Sequence, residues 1–350
     1  MTELMEKILS RENMMQAYKK VKAKNGASGV DGIRTEEIRE YLIENWEEIR
    51  EKIKKRKYKP QPVLRVEIPK PNGGTRNLGI PSVVDRIIEQ AIVQVLTPIV
   101  EPYFSEYSYG FRPKRSAQQA VLKLLEYLND GYLYVVDIDL EKFFDNVPQD
   151  KLMTLVGKII QDPDTESLIA KYLKAGVMIK GRYEETTKGT PQGGNLSPLL
   201  SNIMLNELDK ELEARNLHFV RYADDCVIVV KSSAAASRVM HTVTNWIERK
   251  LGLKVNASKT KVTKPSQLKY LGFGFVKMGD KWEARPHADS LAKFKRTLKK
   301  LTSRAWGISM DERIQRLNWV IRGWINYFRI GKMKQNMQKI DKHLRSRMRI

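Results

Sequence analysis

Three aspartates carry the strongest chemical signal in this sequence of 350 residues. Asp224 and Asp225 are adjacent in the segment HFVRYADDCVIVVK (218–231), whose apolar runs on either side of a short turn predict a hairpin of two strands. Two adjacent carboxylates at a hairpin tip repel each other, and each raises the pKa of the other unless a cation lies between them. A hard divalent cation such as Mg²⁺, which prefers oxygen ligands, would relieve that repulsion.

The third aspartate, Asp139, lies near the end of the segment YLYVVDIDL (132–140), whose β-branched and aromatic residues predict a buried strand. If Asp139 joins Asp224 and Asp225, the site could hold two metal ions, which clamp the attacking and leaving oxygens of a phosphoryl transfer. Asp-Asp is also a common turn dipeptide, so these residues alone leave both a metal site and a plain turn open.

The elements that must position these aspartates are predicted to be a mixture of strands and helices. Helices are predicted in the first fifty residues, broken at 25–29, and then at 83–100, 115–129, 149–160, 164–175, about 197–215 and up to about 251. Strands are predicted in hairpins at 61–80, around a turn at 71–74, and near 177–187, and as single pieces at 259–264 and 268–277. From about Leu291 the pattern is helical to the end, with Gly307, Gly323 and Gly331 as interruptions. The mixture favours an antiparallel sheet backed by helices, and neither a Gly-x-Gly-x-x-Gly nor a P-loop motif is present.

The composition is that of a globular protein of two or three lobes, with 41% hydrophobic and 30% charged residues. A single cysteine, Cys226, excludes intramolecular disulfides and cysteine-based zinc sites, and the four histidines are scattered. No apolar run approaches the roughly 18 residues of a membrane span, and the N-terminus is too charged for a signal peptide. We therefore predict a cytoplasmic protein without a membrane partner.

Positive charge is concentrated at the C-terminal end of the chain. The formal net charge is +22, and residues 291–350 hold 17 Lys and Arg against 3 Asp and Glu. Aromatic residues, among them Trp306, Trp319 and Trp324, are interleaved with these cations. Because each neutralised phosphate releases counterions, this pattern favours a nucleic-acid partner over a solvated helical face. Binding to a membrane surface is the weaker alternative.

Short motifs around the aspartates resemble, in the same order, those of reverse transcriptases. They are DLEKFFD (139–145), TPQGGN (190–195), YADD (222–225), SKT (258–260) and YLGF (270–273). More narrowly, the chain resembles the bacterial group II intron-encoded proteins, which are both reverse transcriptases and maturases. That resemblance begins at NGASGVDG (25–32), continues through LGIP (78–81), DR (85–86) and YGFRP (109–113), and ends at RGWINYF (322–328). It covers nearly the whole chain, and the ordered set is specific although each motif alone is weak.

The resemblance implies an α+β right-hand polymerase, with fingers and a palm built on an antiparallel sheet backed by helices, plus an all-α thumb. We expect fingers at 1–115, containing the N-terminal helices and the basic hairpin. A palm is expected at 116–280, with an interleaved finger segment near 176–197. A helical thumb or maturase-like region is expected at 285–350.

The activity that the resemblance implies is that of an RNA-directed DNA polymerase, in which a primer 3′-hydroxyl attacks the α-phosphate of a dNTP. It assigns the metal ligands to Asp139, Leu140, Asp224 and Asp225, with two Mg²⁺ ions, or Mn²⁺ in their place, as the cofactor. Lys259 is a candidate proton donor to the leaving pyrophosphate, with a solvated loop lysine as the alternative.

A nucleotide site is implied at Lys70, Arg76, Phe143 and Gln192. Lys70 and Arg76, on the two arms of the first hairpin, would grip the triphosphate unless they are only solvated. Phe143 would lie under the incoming sugar and exclude a 2′-hydroxyl, with a plain core position as its rival. Gln192 would contact the nucleotide near its 3′-hydroxyl, in a loop whose two following glycines permit close backbone approach. Without the resemblance, Pro-Gln-Gly-Gly is simply a loop.

The implied partners are an RNA template with an RNA or DNA primer, dNTPs and a structured intron RNA, and an oligomer is left open. Contacts with nucleic acid are expected at Tyr270, Gly272, Arg322, Trp324 and Lys332. With one cysteine, an appended zinc-type endonuclease domain is not expected, so cleavage of a second DNA strand is unsupported.

Other functions compete with this interpretation. One is an RNA-binding splicing cofactor whose polymerase activity is secondary or lost, against which the three retained aspartates argue. Another is a group II-like reverse transcriptase adopted for host defence or repair. An RNA-directed RNA polymerase shares the two-metal core, and Phe143 argues against it.

Overall fold

The computed structural model of the chain describes residues 1–69, 73, 75–303 and 305–348. The α-helices are α1 (Glu3–Ile8), α2 (Arg11–Ala23), α3 (Ile38–Lys54), α4 (Val83–Val100), α5 (Ala117–Asn129), α6 (Phe143–Asn146), α7 (Gln149–Ile160), α8 (Pro163–Leu173), α9 (Ser197–Ala214), α10 (Ser233–Trp246), α11 (Ala288–Leu301), α12 (Met310–Phe328) and α13 (Lys334–Met348). The strands are β1 (Val63–Pro69), β2 (Thr75–Ile80), β3 (Tyr134–Ile138), β4 (Val177–Ile179), β5 (Arg182–Glu184), β6 (His218–Tyr222), β7 (Asp225–Val230), β8 (Lys261–Thr263), β9 (Lys269–Tyr270), β10 (Phe273–Met278) and β11 (Lys281–Pro286).

These elements form two compact units, each made of several stretches of chain. The first unit, the N-terminal unit, consists of Met1–Glu106, Asp139–Ala214 and Val243–Asn256. The second, the C-terminal unit, consists of Tyr107–Ile138, Arg215–Thr242 and Ala257–Ile350. These two units are defined by how the chain packs, whereas fingers, palm and thumb are functional subdomains. The expected limits of fingers, palm and thumb therefore stay a prediction.

In the N-terminal unit, a four-stranded sheet has the order β2-β1-β4-β5. The predicted hairpin of β1 and β2 is present as an antiparallel pair that runs from Leu64↔Ile80 to Pro69↔Thr75. Of its predicted turn at 71–74, Gly73 alone belongs to the described residues. β1 also pairs with β4 in parallel, at Val63↔Val177 and Leu64↔Met178, so this sheet is mixed rather than purely antiparallel.

Helix α4 forms the centre of the same unit. Ser82 caps its N-terminus by accepting a hydrogen bond from the N–H of Asp85, and the helix packs against α2, α1 and α7. Most of its apolar side chains are almost fully buried, and each large one stabilises the unit by about 1.5–3 kcal/mol. Two carboxylates, Asp85 and Glu89, are buried among them, at 1% and 3% exposure.

The C-terminal unit holds the predicted aspartate hairpin in an antiparallel sheet of order β6-β7-β3-β8. β7 pairs with β6 on one side and with β3 on the other. Leu124 and Val121 of α5 pack on the sheet against Val135 and Val220, in a core that also includes the apolar side of β10. The sequence therefore alternates here between strands that bury β-branched side chains and a helix that covers them.

A second sheet in this unit, β11-β10-β9, leads into the C-terminal helices α11, α12 and α13. Phe294, Leu298, Leu317 and Ile340 form the core shared by these helices. Strand β11 was not predicted. Gly323 was predicted to interrupt a helix but lies inside α12, where a glycine costs only about 1 kcal/mol relative to alanine.

The α+β fold class with an all-α C-terminal region is thus confirmed. Among the residues described, none of the helices combines the length and the apolar character needed to cross a membrane.

Candidate active site

Asp224 and Asp225 lie at the tip of the β6–β7 hairpin. Tyr222 pairs with Asp225, so Ala223 and Asp224 form a two-residue turn, and Ala223 takes a left-handed φ of 57°. Asp224 is half-buried and Asp225 is exposed, whereas every residue of β7 after Asp225 is buried. The two carboxylates are therefore presented to solvent from a rigid support.

The hairpin tip is fixed from below by the buried side chain of Arg221. Arg221 is 0% exposed, and its guanidinium donates a hydrogen bond of 2.8 Å to the carbonyl of Ala223. Its backbone N–H donates to the carbonyl of Tyr107, and its carbonyl accepts from the N–H of Tyr109. Gly110 follows, and a Cβ at Gly110 would lie 2.2 Å from the nitrogen of Ala223, so only glycine permits this approach.

Asp139 follows directly on strand β3. The last residue of β3, Ile138, pairs with Cys226, which follows Asp225 in β7. Asp139 is half-buried, and its backbone carbonyl accepts a hydrogen bond of 2.8 Å from the N–H of Asn256. Leu140 is 8% exposed and forms an isolated antiparallel bridge with Val255.

The chemistry of these donors fits a hard cation. Within the described ranges, no three or more His, Cys, Asp or Glu side chains are grouped so that they could hold a metal ion on their own. Mg²⁺ is usually bound by one or two carboxylates, with substrate phosphates and waters as the remaining ligands. Half-buried and exposed carboxylates such as Asp224 and Asp225 suit that mode, because they leave room for a hydrated ion.

A cleft of about 310 Å³ lies in the N-terminal unit, between residues of β1, β2 and β4 and the chain after β3. Three cations, Arg65, Lys142 and Lys188, and one carboxylate, Asp145, line it together with Gln192. The local excess of positive charge suits a phosphorylated ligand. Arg65, Lys142 and Lys188 were not predicted, although they lie within or beside the predicted motifs.

Gln192 is held in this cleft by its backbone. The N–H of Gly79 in β2 donates a hydrogen bond of 2.6 Å to the carbonyl of Gln192. Gly193 has a φ of 123°, and a Cβ there would lie 2.4 Å from the carbonyl oxygen of Gly79. The predicted need for glycine beside Gln192 therefore has a concrete cause in the approach of β2 to this loop.

The two adjacent phenylalanines of the DLEKFFD motif have different environments. Phe143 is 2% exposed, whereas Phe144 lines the cleft. Their rings meet edge to face with centroids 5.2 Å apart, at the start of the short helix α6. The structure thus places the sugar-contacting candidate Phe143 in the core and its unpredicted neighbour at the surface of the cleft.

Arg76 and Lys259, predicted to act on phosphate and in proton transfer, are both exposed. Arg76 is exposed on β2, and it alternates with Asn77, which lines the cleft, so that the two residues face opposite sides of the sheet. Lys70 lies outside the described residues. Lys259 is exposed in the turn before β8, whose Lys261 pairs with Asp137 of β3.

The residues expected to contact nucleic acid divide into two groups. Tyr270 and Trp324 take part in packing: Tyr270 is 3% exposed, and the ring of Trp324 stacks on Phe294 at 4.5 Å. Gly272, with a φ of 80°, forms the turn between β9 and β10, and its carbonyl accepts hydrogen bonds from the N–H of His287 and from Ser290. Arg322 and Lys332, by contrast, are exposed.

Comparison with protein families gives two matches that together span most of the chain. The reverse transcriptase (RNA-dependent DNA polymerase) family matches residues 68–275. The maturase-specific domain of group II introns matches residues 291–350.

Curated relatives agree with these matches. Protein YkfC of Escherichia coli (strain K12) is 33% identical over 289 residues, which are 72% of this chain and 74% of that protein. The group II intron-encoded protein LtrA of Lactococcus lactis subsp. cremoris is 31% identical over 338 residues, 78% of this chain. The chain spans only 56% of the length of LtrA.

Solved structures give more distant matches. A chain of the partial Cas6-RT-Cas1–Cas2 complex is 24% identical with a TM-score of 0.44, and the match covers 71% of this chain and 43% of that one. Telomerase from Candida albicans is 15% identical with a TM-score of 0.49, and the match covers 86% of this chain and 60% of that one.

The family match over 68–275 implies dependence on a divalent metal, and with the maturase-specific match it implies binding of RNA. The predictions of the fold class and of an RNA-directed DNA polymerase with a maturase-type region are confirmed by the same matches. The chain belongs to the reverse transcriptase (RNA-dependent DNA polymerase) family.

Proposed function

We propose that this chain extends a primer on an RNA template by adding dNTPs, with two Mg²⁺ ions bound by Asp139, Asp224 and Asp225. The observation that carries the proposal is the register of the β-sheet, in which Ile138 pairs with Cys226. This pairing brings the end of β3 beside the first residues of β7, so that the backbone following Ile138 starts next to the aspartate tip.

When bound, the metal would make the primer 3′-hydroxyl more acidic and neutralise charge on the triphosphate. Asp139 and Asp224 would hold both ions, with Asp225 supporting one and the backbone of Leu140 completing the set. Arg221 would keep the tip in place through its hydrogen bond to Ala223. Lys259, exposed in the turn before β8, would donate a proton to the leaving pyrophosphate.

The cleft of the N-terminal unit would bind the incoming nucleotide. Arg65, Lys142 and Lys188 would balance the charge of the triphosphate, and Gln192 would orient the sugar. Lys70 remains a proposed phosphate ligand from the hairpin, whereas Arg76 faces the side of the sheet opposite the cleft-lining Asn77 and is not assigned to this nucleotide. We assign the role of sugar filter to Phe144, because its ring lines the cleft whereas that of Phe143 is buried.

The basic C-terminal helices would hold the template–primer duplex, mainly through its phosphates. Arg322 and Lys332 are the accessible candidates there, and Tyr270, Gly272 and Trp324 would support the surface from within. The match to a maturase-specific domain, and the relative named as a group II intron-encoded protein, support a structured intron RNA as a further partner and a role in splicing and mobility.

The test is primer extension on an RNA template with dNTPs or rNTPs, with and without Mg²⁺, using the wild-type chain and Asp224→Asn. The wild type should extend with dNTPs only in the presence of Mg²⁺. The variant should lose extension but still bind RNA. Retained polymerisation by Asp224→Asn would overturn the site, and extension only with rNTPs would overturn the choice of product.

A splicing cofactor without polymerase activity is the second candidate, and the match over 291–350 favours it. It predicts binding of structured RNA and stimulation of intron excision with no primer extension by the wild type. Equal splicing by wild type and Asp224→Asn would be compatible with both functions, so extension by the wild type is the measurement that separates them.

A further inference from the structure

The loop that carries Gln192 is held by hydrogen bonds to two other elements, strand β2 and helix α4. At one end, the N–H of Gly79 donates to the carbonyl of Gln192. At the other end, the N–H of Asn195 donates a hydrogen bond of 2.7 Å to a carboxyl oxygen of Glu89 in α4. The side chain of Asn195 also donates to the carbonyl of Arg86, one turn earlier in that helix.

The carboxyl group of Glu89 is buried where it makes this contact. Its side chain is 3% exposed, and a Cβ at Gly194 would lie 3.2 and 3.3 Å from its two carboxyl oxygens. Glycine at 194 therefore allows the carboxyl group to reach the loop backbone. A buried carboxyl group is expensive, and it is kept where it satisfies backbone donors that would otherwise be unpaired.

We infer that Glu89 is a positioning residue for nucleotide binding, because it fixes the loop backbone at Asn195 and thereby the position of Gln192 in the cleft. The inference rests on the proposed function of that cleft. Glu89 does not line the cleft, so it would act through the loop and not on the nucleotide. The chain of contacts runs from Glu89 to Asn195 and, through two glycines, to Gln192.

Burial supports the assignment, since it raises the pKa of Glu89 to about 8, with nearby Asp85 adding to the rise. The N–H groups of Asn195 and Leu196 and the charge of Arg86 oppose that rise. A neutral carboxyl group still accepts a hydrogen bond through its carbonyl oxygen. A glutamine at 89 offers the same acceptor, whereas an alanine leaves the Asn195 N–H unpaired.

The first measurement is incorporation of a single nucleotide at increasing dNTP concentration. For Glu89→Ala we expect the half-saturating dNTP concentration to rise about tenfold, with the maximal rate within about twofold of wild type. Glu89→Gln should restore both values to within about twofold. Asp164→Asn is the control, because Asp164 is a buried carboxylate of the same unit whose partners are Thr2 and Arg56. It should not shift the half-saturating concentration.

The second measurement is amide hydrogen exchange of the protein alone, which needs no activity. The amides of Gly79 and Asn195 should be protected in the wild type and should exchange faster in Glu89→Ala. If Glu89→Ala does not fold, Glu89→Asp withdraws the carboxyl group by one methylene and should give an intermediate effect on both measurements.

Unchanged exchange in Glu89→Ala, or an equal rise in half-saturating dNTP for Glu89→Ala and Glu89→Gln, would overturn the inference. Lack of dNTP addition by the wild type would instead overturn the proposed function, and the exchange result would then still decide whether Glu89 orders the loop.

Discussion

Two pairs of carboxylate side chains in this molecule differ in burial, one pair lying in the core and the other at the surface. Asp85 and Glu89, one turn apart on α4, are buried at 1% and 3% exposure. Asp85 accepts hydrogen bonds from Tyr58, Ser82, Tyr172 and the N–H of Gln61. Asp224 and Asp225, at the hairpin tip, are half-buried and exposed.

The difference separates structural carboxylates from those available for chemistry. Burial raises the pKa of Asp85 and of Glu89, and the hydrogen bonds that both groups accept from the protein oppose that rise. The pair at the tip keeps access to solvent, and its rigid support comes from the buried guanidinium of Arg221 rather than from its own burial.

The largest expected effect is that substitution in one pair abolishes activity, whereas substitution in the other pair lowers stability. Asp225→Asn should lower the rate of dNTP addition on the order of 10³-fold or more, because a metal ligand is lost, while the melting temperature changes little. Asp85→Asn should lower the free energy of unfolding by about 2 kcal/mol, because one of its acceptors is replaced by a donor. Primer extension and thermal unfolding of both variants check this. If Asp85→Asn lost as much activity as Asp225→Asn when equal amounts of folded protein are compared, the distinction between the two pairs would be wrong.

Gly110→Ala tests whether the tip depends on its support. The added Cβ would meet the backbone nitrogen of Ala223 at 2.2 Å, so the tip must move. We expect dNTP addition to fall about 100-fold, since catalytic groups displaced by about 1 Å lose roughly that much. Gly323→Ala is the matched control in α12, where a Cβ meets nothing within 4 Å. An unaltered rate in Gly110→Ala would show that the tip tolerates displacement.

The paired phenylalanines give a smaller, selective effect. Phe144→Ala should raise rNTP incorporation relative to dNTP by about tenfold or more, since the ring that lines the cleft no longer excludes a 2′-hydroxyl. Phe143→Ala should instead lower stability by about 3–5 kcal/mol, the range for a buried phenylalanine, with little change of selectivity in the folded fraction. If Phe143→Ala instead raised rNTP incorporation and Phe144→Ala did not, the sugar filter would be Phe143. Competition between rNTP and dNTP at a single template position, together with urea unfolding, measures both.

The most gradual expected effect is on the pH dependence of stability. Glu89 has a pKa of about 8 in the folded chain and an ordinary value of 4.5, so between these values the folded state keeps a proton that the unfolded chain releases. Stability therefore falls as pH rises through this range, by up to about 1.4 kcal/mol per pH unit. Glu89→Gln should flatten that slope. Part of it should remain, because burial also raises the pKa of Asp85, while Arg86 and Tyr172 face the same region. Urea unfolding of the wild type and Glu89→Gln at pH 5 to 8.5 measures the free energy of unfolding against pH. An equal slope for the two proteins would contradict this assignment.

The sequence predicted helices and hairpins well where one local pattern dominates. Helix α4 begins and ends where its apolar pattern does, and the aspartate hairpin forms as predicted, with its turn at Ala223 and Asp224, one residue before the Asp-Asp dipeptide. Strand β11 was missed because KWEARP alternates weakly and gains its stability from pairing with β10. Gly323 was taken as an interruption because local propensity ignores the packing of α12 on its neighbours.

The candidate site was less accessible to sequence reasoning. The aspartates stand out by type and spacing, but the different environments of Phe143 and Phe144 depend on the backbone after Lys142, which has a left-handed φ of 44°. The role inferred for Glu89 had no local signal at all. Its partner, Asn195, is 106 residues away, and a glutamate inside an apolar helix pattern is equally compatible with a solvated face.

The central claim is that Asp139, Asp224 and Asp225 ligate the same ions, and cleavage of the chain by bound iron tests it most directly. Fe²⁺ would replace Mg²⁺ in the presence of template–primer and dNTP, and ascorbate with peroxide would then cut the backbone close to the metal. The account predicts cuts beside residue 139 and beside 224–225, both suppressed by excess Mg²⁺ and both lost in Asp224→Asn. Cuts at only one of the two segments, or cuts beside 224–225 that persist in Asp139→Asn, would contradict it.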